Sequence, residues 1–263
     1  MSNEPRVIVH PDVDVLLRAH ANRFLARAQH VVEEFGEFTV ALTGGILGIA
    51  SLVALREHPD CQRLDWSRVN VWWGDERWVP RDHPDRNALQ ARHALLDHVP
   101  VDPERVHEFP AADDGISLDE AADRYAKQLI AAAPLGQALP AFDVIFLGVG
   151  PDGHVASMFP GSEAIRERTK TVLPVRNSPK PPPERLTLTL PVINSAARVI
   201  VLLAGAEKAG ALGLGLAGAS VDEVPLAGVL GRRSTLFHVD AAAAEQVPPS
   251  LIEGEQYWTA SDG

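Results

Sequence analysis

Short apolar segments alternate with longer segments of helical period along the chain, and this alternation restricts the fold more than any other feature. The predicted strands are residues 6–10, 38–42, 69–73, 106–109, 142–148, 171–175, 185–190, 198–205 and 234–239. Several of them are apolar throughout, which is typical of strands that are buried on both faces. The pattern therefore predicts an α/β fold with three layers, in which helices cover both faces of a mostly parallel sheet.

The predicted helices lie between these strands. The longest carries a broad apolar stripe from Val13 to Phe35 and ends at Gly36. The others are predicted at residues 46–57, 87–97, 118–132 and 207–216. No internal repeat or low-complexity linker divides the 263 residues, of which 46% are hydrophobic, so we expect a single domain over residues 1–263.

The composition argues against several classes of protein. A single cysteine, Cys61, cannot form an intramolecular disulfide or a cysteine-rich metal site. The formal net charge of −11 argues against a nucleic-acid surface, and Arg232 and Arg233 form the only adjacent basic pair. Because no leader or membrane-spanning segment is predicted, we expect a cytoplasmic protein without nucleic-acid or membrane partners, either a monomer or a weak homo-oligomer.

Ligands of such folds lie beyond the carboxyl ends of the strands, and four of the predicted strand ends carry unusual residues. The first is the segment ALTGGILG, where a strand leads through Gly44 and Gly45 into a helix. The backbone N–H groups of successive glycines and the positive end of a helix can hold a phosphate group. The same glycines also suit a tight turn without any ligand, and this segment alone does not decide between the two interpretations.

The second strand end is the segment WWGDERWVPRDHPDRN, which places Asp75, Glu76 and Arg77 directly after an apolar strand. A run of charged residues is more often a solvated surface, but this one lies between aromatic residues. The guanidinium fork of Arg77 could donate to phosphate oxygens. Asp75 or Glu76 could orient that guanidinium or bind the hydroxyl groups of a sugar.

The third strand end, FDVIFLGVGPDGHVASMFPG, has the GxGxxG spacing of a dinucleotide-binding turn at Gly148, Gly150 and Gly153. That fingerprint requires a following helix and then a second strand that ends in an acidic residue. Here Pro160 and Gly161 interrupt the helix early, and no second strand follows at the required distance. Binding of NAD is therefore not expected.

The same turn presents Asp152 and His154 at the end of a strand, and it is expected to begin a short helix. An imidazole with its ordinary pKa of about 6.5 can accept a proton from water at neutral pH. The N–H groups of Gly150 and Gly153 could stabilise an oxyanion. Most of the ten histidines are interpreted as structural residues, and the position of His154 distinguishes it from them.

The fourth strand end combines the segments PKPPPERLTLTL and LLAGAEKAGAL. Lys180 and Arg185 flank a stiff proline-rich loop, and Lys208 lies in the first turn of a helix that follows a strand. The sequence contains no HExxH motif, no closely spaced set of metal ligands and no GxSxG motif. The residues therefore fit hydrolysis by an activated water molecule.

Three of the segments together resemble the 6-phosphogluconolactonase family: GDERWVPRDHPDRN, FLGVGPDGHVASMFPG and NSPKPPPERLTLTLPVIN. The resemblance extends from about Val40 to Lys208. It implies a fold shared with glucosamine-6-phosphate deaminase and ribose-5-phosphate isomerase, and an enzyme without metal or cofactor. It further implies that the partner of the protein is a small sugar-phosphate lactone, 6-phospho-D-glucono-1,5-lactone, which is hydrolysed in the pentose phosphate pathway.

The resemblance also implies roles for individual residues, with His154 as the general base. Phosphate binding and substrate orientation fall on Gly44, Gly45, Arg77, Arg185 and Lys208, and we expect Asp75, Gly150, Asp152 and Gly153 to line the substrate site as well. Two departures from the family pattern concern the phosphate. The loop from Thr43 to Gly48 lacks the usual hydroxyl groups after its glycines, and Arg86 replaces a serine, so binding is expected to depend more on backbone N–H groups and cations.

Other functions are compatible with parts of the sequence. A glucosamine-6-phosphate deaminase would share the Asp-Gly-His turn, but Arg77 stands where that family has a tyrosine, and the segment SMFPG lacks its Asn-Glu pair. A non-catalytic sugar-phosphate sensor would carry a basic helix-turn-helix segment, whereas residues 1–37 contain one predicted helix. An inactive paralogue that does not bind DNA stays an alternative because of the altered phosphate loop.

Overall fold

The structure, a computed structural model, describes residues 5–252 of the chain. The strands in these residues are β1 Arg6–His10, β2 Phe38–Leu42, β3 Val69–Trp73, β4 Asp75–Arg77, β5 Val144–Gly148, β6 Val172–Val175, β7 Arg185–Leu188, β8 Arg198–Leu203 and β9 Ser234–Asp240. Six of them form a parallel sheet in the order β1, β9, β8, β5, β2, β3. The other three form an antiparallel sheet in the order β4, β7, β6.

Helices lie on both faces of the parallel sheet. They are α1 Val13–Phe35, α2 Gly45–Glu57, α3 Asn87–Ala94, α4 Leu118–Ala131, α5 Glu163–Arg166, α6 Leu190–Asn194 and α7 Ala209–Leu216. Phe24 of α1 packs on Phe38, with ring centroids 5.5 Å apart, and Tyr125 of α4 packs on Trp72, at 5.6 Å. Phe38 pairs with Val69, and Trp72 lies three residues after Val69, so the two rings belong to opposite faces. The predicted three-layer α/β fold is confirmed, and the prediction of a single domain stays a prediction.

The central strands are apolar throughout because both of their faces are covered. All five residues of β2 and all six of β8 are buried. A parallel sheet that lies between helix layers requires this composition. The continuous apolar runs in the sequence were therefore the correct signal for a parallel sheet.

One predicted strand is wrong, and one strand of the structure was not predicted. Residues 106–109 do not form a strand: Val106 makes an isolated bridge to Val71 between a 3₁₀ turn at Pro103–Arg105 and Pro110, which leaves no room for a ladder. The unpredicted strand β4 consists of charged residues without apolar alternation, and its pairing with β7 defines it.

The helix expected after His154 is also absent. Turns and isolated bridges occupy residues 151–160, with Val155 bridged to both Val149 and Met158. Ala156 has a positive φ of 50°, which a right-handed helix does not permit. The segment after the histidine is therefore a compact loop rather than a helix.

Four neighbouring strands of the parallel sheet, β8, β5, β2 and β3, carry the unusual residues at their carboxyl ends. Because these strands are parallel and adjacent, their carboxyl ends lie side by side at one edge. Gly44 follows β2, Asp75 follows β3, Gly150 follows β5 and Lys208 follows β8. The topology therefore brings the four predicted strand ends together, as the sequence indicated.

Within residues 5–252, no helix combines the length and the apolar character that crossing a membrane would require.

Tyr125 ties α4 to the sheet beneath the carboxyl edge, and it provides a test of the packing. Its hydroxyl accepts from the Trp73 N–H at 3.1 Å and donates to the His107 carbonyl at 3.1 Å. Replacement Tyr125→Phe leaves a buried N–H without its acceptor, so we expect the free energy of unfolding to fall by about 1–3 kcal/mol. Urea denaturation measures this loss. The control Ile130→Ala removes an exposed side chain from the same helix and is expected to change stability by about 0.5 kcal/mol or less.

Candidate active site

His154 lies in the turn after β5, and a carboxylate holds its ring. The Oδ1 atom of Asp152 is 2.6 Å from Nδ1 of His154. The Nδ1–H group donates to this oxygen, which leaves Nε2 as the nitrogen that can accept a proton. The ring also packs against Phe159, with 4.5 Å between the ring centroids. Asp152 and His154 are called the catalytic pair below.

Lys180 completes the surroundings of the catalytic pair. Its Nζ atom is 3.4 Å from Oδ1 of Asp152 and 3.4 Å from Nδ1 of His154. The lysine belongs to the proline-rich loop that precedes β7. This loop therefore brings a positive charge to the histidine from a distant part of the sequence.

Burial lowers the pKa of His154 below its usual value, and the charge of Lys180 acts in the same direction. The hydrogen bond and charge of Asp152 and the charge of Asp75 oppose this shift without reversing it. Burial alone would raise the pKa of Asp152, but the contact with His154 and the charge of Lys180 lower it overall. At neutral pH the pair is therefore a carboxylate and a neutral imidazole, which is the form that a general base requires.

Two glycines make room for the catalytic pair. A Cβ atom on Gly150 would overlap the ring of His154 and the carboxylate of Asp152. Gly153 has a φ of +76°, and a Cβ atom there would lie 2.7 Å from Cγ1 of Val224. Both positions therefore exclude side chains, one for space and one for backbone conformation as well.

The role of these glycines in oxyanion stabilisation stays a prediction, and their N–H groups already have acceptors within the turn. The Gly150 N–H donates to the carbonyl of His154 at 3.1 Å, and the Gly153 N–H donates to the carbonyl of Gly150 at 2.9 Å. Both donors are used inside the turn, so neither points freely at a substrate. The charge that lies within hydrogen-bonding distance of the pair is the ammonium group of Lys180.

A buried carboxylate organises the second part of the site. Glu76 is fully buried, and its Oε1 atom accepts from the N–H groups of Arg77 at 2.8 Å and Asn87 at 2.7 Å. Its Oε2 atom accepts from the Ala88 N–H at 2.9 Å, so the carboxylate caps the start of α3. Burial raises the pKa of Glu76 to about 7, against the opposing charge of Arg86 and the three N–H groups.

Arg86, the residue that departs from the family pattern, is a core residue. Its side chain is fully buried and donates to the carbonyls of Phe109 and Pro110. The guanidinium supplies the positive charge that partly offsets the buried Glu76. The departure therefore supports the network under the site, and Arg86 is not positioned as a phosphate ligand.

Asn87 links Arg77 to the glycine loop. Nη1 of Arg77 donates to Oδ1 of Asn87 at 2.6 Å and to the carbonyl of Asp85 at 2.8 Å. The Asn87 amide donates in turn to the carbonyl of Asp75 at 2.9 Å. A Cβ atom on Gly44 would overlap the Asn87 amide. The glycine therefore permits the close approach of the loop after β2 to the start of α3.

A groove of about 660 Å³ opens above this contact, and it is called the cationic groove below after Arg77, which shares its lining with Asp85. Its lining includes Gly45, Ile46, Arg77 and the prolines of residues 181–182. Gly44 precedes α2 and offers no side chain to cap it. The N–H groups of the first turn of α2 are thus backbone donors at the positive end of a helix, as the sequence predicted for a phosphate site.

Asp75 joins the two parts of the site. It is 5% exposed, and its Oδ2 atom accepts from the Ser157 hydroxyl at 2.7 Å. Its Oδ1 atom is 3.4 Å from the Asn87 amide nitrogen. The carboxylate therefore fixes the loop after His154 against the Arg77 region, and both its oxygens are engaged by protein groups.

Arg185 holds the proline-rich loop in place. It pairs directly with Arg77 across β7 and β4. Its Nε and Nη2 atoms donate to the carbonyls of residues 180–182 at 3.0 to 3.2 Å. The guanidinium also lies 5.6 Å from the ring centroid of Phe159, the ring that packs on His154. Arg185 therefore positions the loop that carries Lys180.

Lys208 approaches the site from β8. It ends the 3₁₀ turn Ala206–Lys208 that precedes α7. Burial lowers its pKa, the charge of Glu207 opposes this, and the charge of Lys180 lowers it further. The charge of Lys180 acts on Lys208, so the two ammonium groups lie within electrostatic reach of each other.

The sequence-predicted site residues thus form one connected set at the carboxyl edge. The sequence analysis did not predict that Glu76 caps a helix, and it did not include Asn87 in the site. It noticed Lys180 in the proline-rich loop but did not assign this lysine to the site. Asn87 lies at the predicted start of a helix, but the acid that caps this helix lies eleven residues earlier, so no local capping pattern predicts the contact of Glu76 with α3. The contact of Lys180 with His154 depends on the path of a long loop, and no local pattern predicts it.

Among residues 5–252, no group of three or more histidine, cysteine, aspartate or glutamate side chains is arranged to hold a metal ion.

Comparison with known proteins then decides the family. The model of the family described as glucosamine-6-phosphate isomerases/6-phosphogluconolactonase matches residues 11–238. The chain belongs to this family. Its matched region contains every residue of the site described above.

Several relatives that align with most of this chain are named 6-phosphogluconolactonase. The 6-phosphogluconolactonase of Streptomyces coelicolor is 46% identical over 95% of this chain and 98% of its own length. That of Mycobacterium tuberculosis is 43% identical over 91% of this chain and 97% of its own length. The solved structure of the Trypanosoma brucei 6-phosphogluconolactonase superposes with a TM-score of 0.81 at 30% identity, covering 94% of this chain and 100% of that one.

The hydrogen bond of the catalytic pair makes a prediction about titration. Since Asp152 raises the pKa of His154 against the effect of burial, removal of its charge in Asp152→Asn is expected to lower that pKa further. Measurement of the His154 ring by ¹H–¹⁵N NMR across pH tests the direction. The control Asp119→Asn removes a distant carboxylate, which pairs with Arg176, and is expected to leave the titration unchanged. A rise in the His154 pKa of Asp152→Asn would contradict the assigned contact.

Proposed function

We propose that this chain hydrolyses 6-phospho-D-glucono-1,5-lactone to 6-phospho-D-gluconate in the pentose phosphate pathway. The observation that carries the proposal is the catalytic pair, whose 2.6 Å contact leaves Nε2 of a neutral imidazole as a base. The loop that brings Lys180 to His154 continues into Pro181 and Pro182, which line the cationic groove. Membership of the family, and the shared name of relatives that align over almost the whole chain, support the same substrate. The reaction needs a base for water and a site for phosphate, and it needs no redox cofactor.

In the proposed reaction, His154 removes a proton from water through Nε2 while the water oxygen attacks the lactone carbonyl. The carbonyl π electrons move to oxygen and form a tetrahedral intermediate. As the intermediate collapses, the bond between the carbonyl carbon and the ring oxygen breaks, and the imidazolium returns the proton to that oxygen. Asp152 holds the ring orientation and stabilises the positive charge that forms on it.

Lys180 is the group that we assign to the developing negative charge. Its ammonium lies 3.4 Å from Nδ1 of His154, and the backbone donors of the adjacent turn are already engaged. A cation in a partly enclosed site stabilises an oxyanion more strongly than it would in bulk water. The lysine thus takes the part that the sequence had suggested for the glycines.

The phosphate of the substrate is assigned to the cationic groove. The first turn of α2 offers backbone N–H donors after Gly44, and Arg77 offers a guanidinium on the opposite wall. Lys208 adds charge from the side of β8. The binding energy of the phosphate would orient the carbonyl against His154, which is how a remote group contributes to the rate.

The proposal includes the setting of the enzyme. A small-molecule substrate without nucleic-acid or membrane partners fits the formal net charge of −11. A cytoplasmic location and a monomeric or weakly associated state stay predictions, which cell fractionation and analytical ultracentrifugation would test.

The central test is the assignment of the base. His154→Ala is expected to lower kcat by about 10²- to 10⁴-fold, the usual contribution of one positioned base. The lactone is generated in the assay and the product is coupled to 6-phosphogluconate dehydrogenase, with an enzyme-free blank because the lactone also hydrolyses unaided. The control His30→Ala, at an exposed position of α1, should retain the wild-type rate.

The outcomes separate the competing functions. A wild-type rate equal to the blank would exclude the lactonase. Unchanged activity in His154→Ala would exclude the assigned base, although not the substrate. Release of ammonia from glucosamine 6-phosphate by the wild-type protein would favour the deaminase instead.

The phosphate groove makes a second, independent prediction. Arg77→Met is expected to raise KM for the phosphorylated lactone by about 10- to 150-fold, the effect of losing a hydrogen bond to a charged group. Hydrolysis of plain glucono-1,5-lactone should change little, because that substrate has no phosphate to anchor. Arg81→Met, which removes an arginine that pairs with Asp114 outside the groove, serves as the control. Equal losses with both lactones would contradict a phosphate role for Arg77.

A further inference from the structure

The edge of the parallel sheet opposite the candidate active site holds a group of arginines that the proposed reaction does not use. Arg27 lies on α1, Arg198 is the first residue of β8, and Arg233 directly precedes β9. These three residues are called the amino-edge cluster below. Arg233 belongs to the only adjacent basic pair in the sequence, in a chain with a formal net charge of −11.

Strand register and helix direction bring the side chains of Arg27 and Arg198 to the same face of the sheet, and the charge of Arg233 acts on both. Arg198 and Ile200 are two residues apart on β8 and therefore point to the same face, and Ile200 pairs with Phe146. Phe24 of α1 packs on Phe146, with 5.4 Å between the ring centroids, so α1 covers that face. Since α1 returns from the carboxyl edge to the amino edge, Arg27, one turn after Phe24, lies over the start of the strands.

Two guanidinium groups of the cluster are buried without partners for all their N–H groups. Arg27 and Arg198 are each 8% exposed. Within residues 5–252, Nε of Arg27 and Nη1 of Arg198 are buried and have no hydrogen-bond acceptor. Buried polar groups nearly always have partners, and a buried charged donor without one is costly. Arg27 and Arg198 can therefore each donate a further hydrogen bond to an acceptor that lies between α1 and the sheet.

The acidic groups nearby do not supply that acceptor. Asp143, just before β5, directs its Oδ2 atom to the Thr39 N–H at 2.9 Å. In the described part of the chain it forms no ion pair with Arg27 or Arg198, although its charge acts on both. Glu34 acts on Arg27, and Glu37 acts on Asp143, from more distant positions.

The guanidinium groups of the cluster act on one another, and the carboxylate of Asp143 opposes this effect. Burial lowers the pKa of Arg198 to about 10, and the charges of Arg27, Arg233 and Arg6 contribute, while Asp143 opposes. Burial likewise lowers the pKa of Arg27; the charge of Asp143 opposes this shift, the charge of Arg233 adds to it, and the charge of Glu34 opposes it. These directions mean that the guanidinium groups repel one another, and an anion placed among them would relieve the repulsion.

We propose that the amino-edge cluster binds a phosphate-type oxyanion, either inorganic phosphate or the phosphate group of a small metabolite. Planar guanidinium forks match the oxygens of phosphate, and several converging arginines suit a doubly charged anion. In an acidic protein, a local group of cations is what attracts such a ligand against the overall field.

This site is distinct from the cationic groove. Arg198 is the first residue of β8 and Lys208 follows the last, and the six residues of this strand span about 16 Å. One phosphate group cannot contact both. The proposal does not depend on the proposed lactonase activity, since no residue of the amino-edge cluster takes part in it.

The test is binding of inorganic phosphate, measured by isothermal titration calorimetry in chloride buffer of matched ionic strength. The double variant Arg77→Met/Lys208→Met weakens the cationic groove and is expected to retain one phosphate site per chain. Adding Arg198→Met or Arg27→Met to it is expected to weaken that binding by about 10- to 150-fold, as for loss of a hydrogen bond to a charged group. Arg232→Met removes the same charge from a neighbouring residue that donates to the Ser195 carbonyl, and it should change the affinity little.

Thermal unfolding gives a second readout that does not depend on calorimetric heats. Phosphate should raise the Tm of the double variant and leave that of its Arg198→Met derivative unchanged, because a ligand stabilises only the state that binds it. If Arg198→Met does not fold, the exposed Arg233→Met takes its place in both experiments.

The outcomes are decisive in either direction. No phosphate binding by the double variant, or equal affinity with and without Arg198 and Arg27, would overturn the proposal. Repeating the titration with glucose 6-phosphate distinguishes the source of the phosphate: tighter binding than inorganic phosphate indicates a sugar-phosphate ligand, and equal or weaker binding indicates the free ion. Absence of lactonase activity in the wild type would affect the proposed function alone.

Discussion

The pairing of β8, β5, β2 and β3 as neighbouring parallel strands is the constraint on which the rest of the molecule depends. It places the loops that follow these four strands side by side at the carboxyl edge. Residues that are far apart in sequence therefore lie close together there. It also places the four strand starts together at the opposite edge. A single topological choice therefore creates both regions where polar side chains concentrate.

At the carboxyl edge, the buried carboxylate of Glu76 accepts hydrogen bonds from the backbone around it. Glu76 receives three N–H groups from the end of β4 and the start of α3, and the buried Arg86 moderates its charge. The same segment directs Arg77 and Asn87 to the groove. Arg86, which departs from the family pattern, therefore offsets the charge of Glu76 beneath the site. The absence of hydroxyl groups from the glycine loop is an independent departure.

Much of this arrangement could be predicted from the sequence, because it depends on local patterns. Apolar runs such as Arg198–Leu203 indicated buried parallel strands, and the strand-end rule selected His154. The charged strand β4 could not be predicted, because its pairing with β7 defines it and its own composition does not. The hydrogen bonds of the turn glycines could not be predicted either, because a motif does not reveal whether its N–H groups are already used, and here Gly150 and Gly153 both donate within the turn.

Because Gly150 has no side chain, mutational experiments that shorten side chains do not reveal its contribution to the site. The ring of His154 occupies the volume that any side chain at position 150 would need. The absence of a side chain at position 150 therefore permits the orientation of the His154 ring. Mutational surveys that shorten side chains look for what a residue contributes, and they pass over a position whose contribution is to leave its neighbour room.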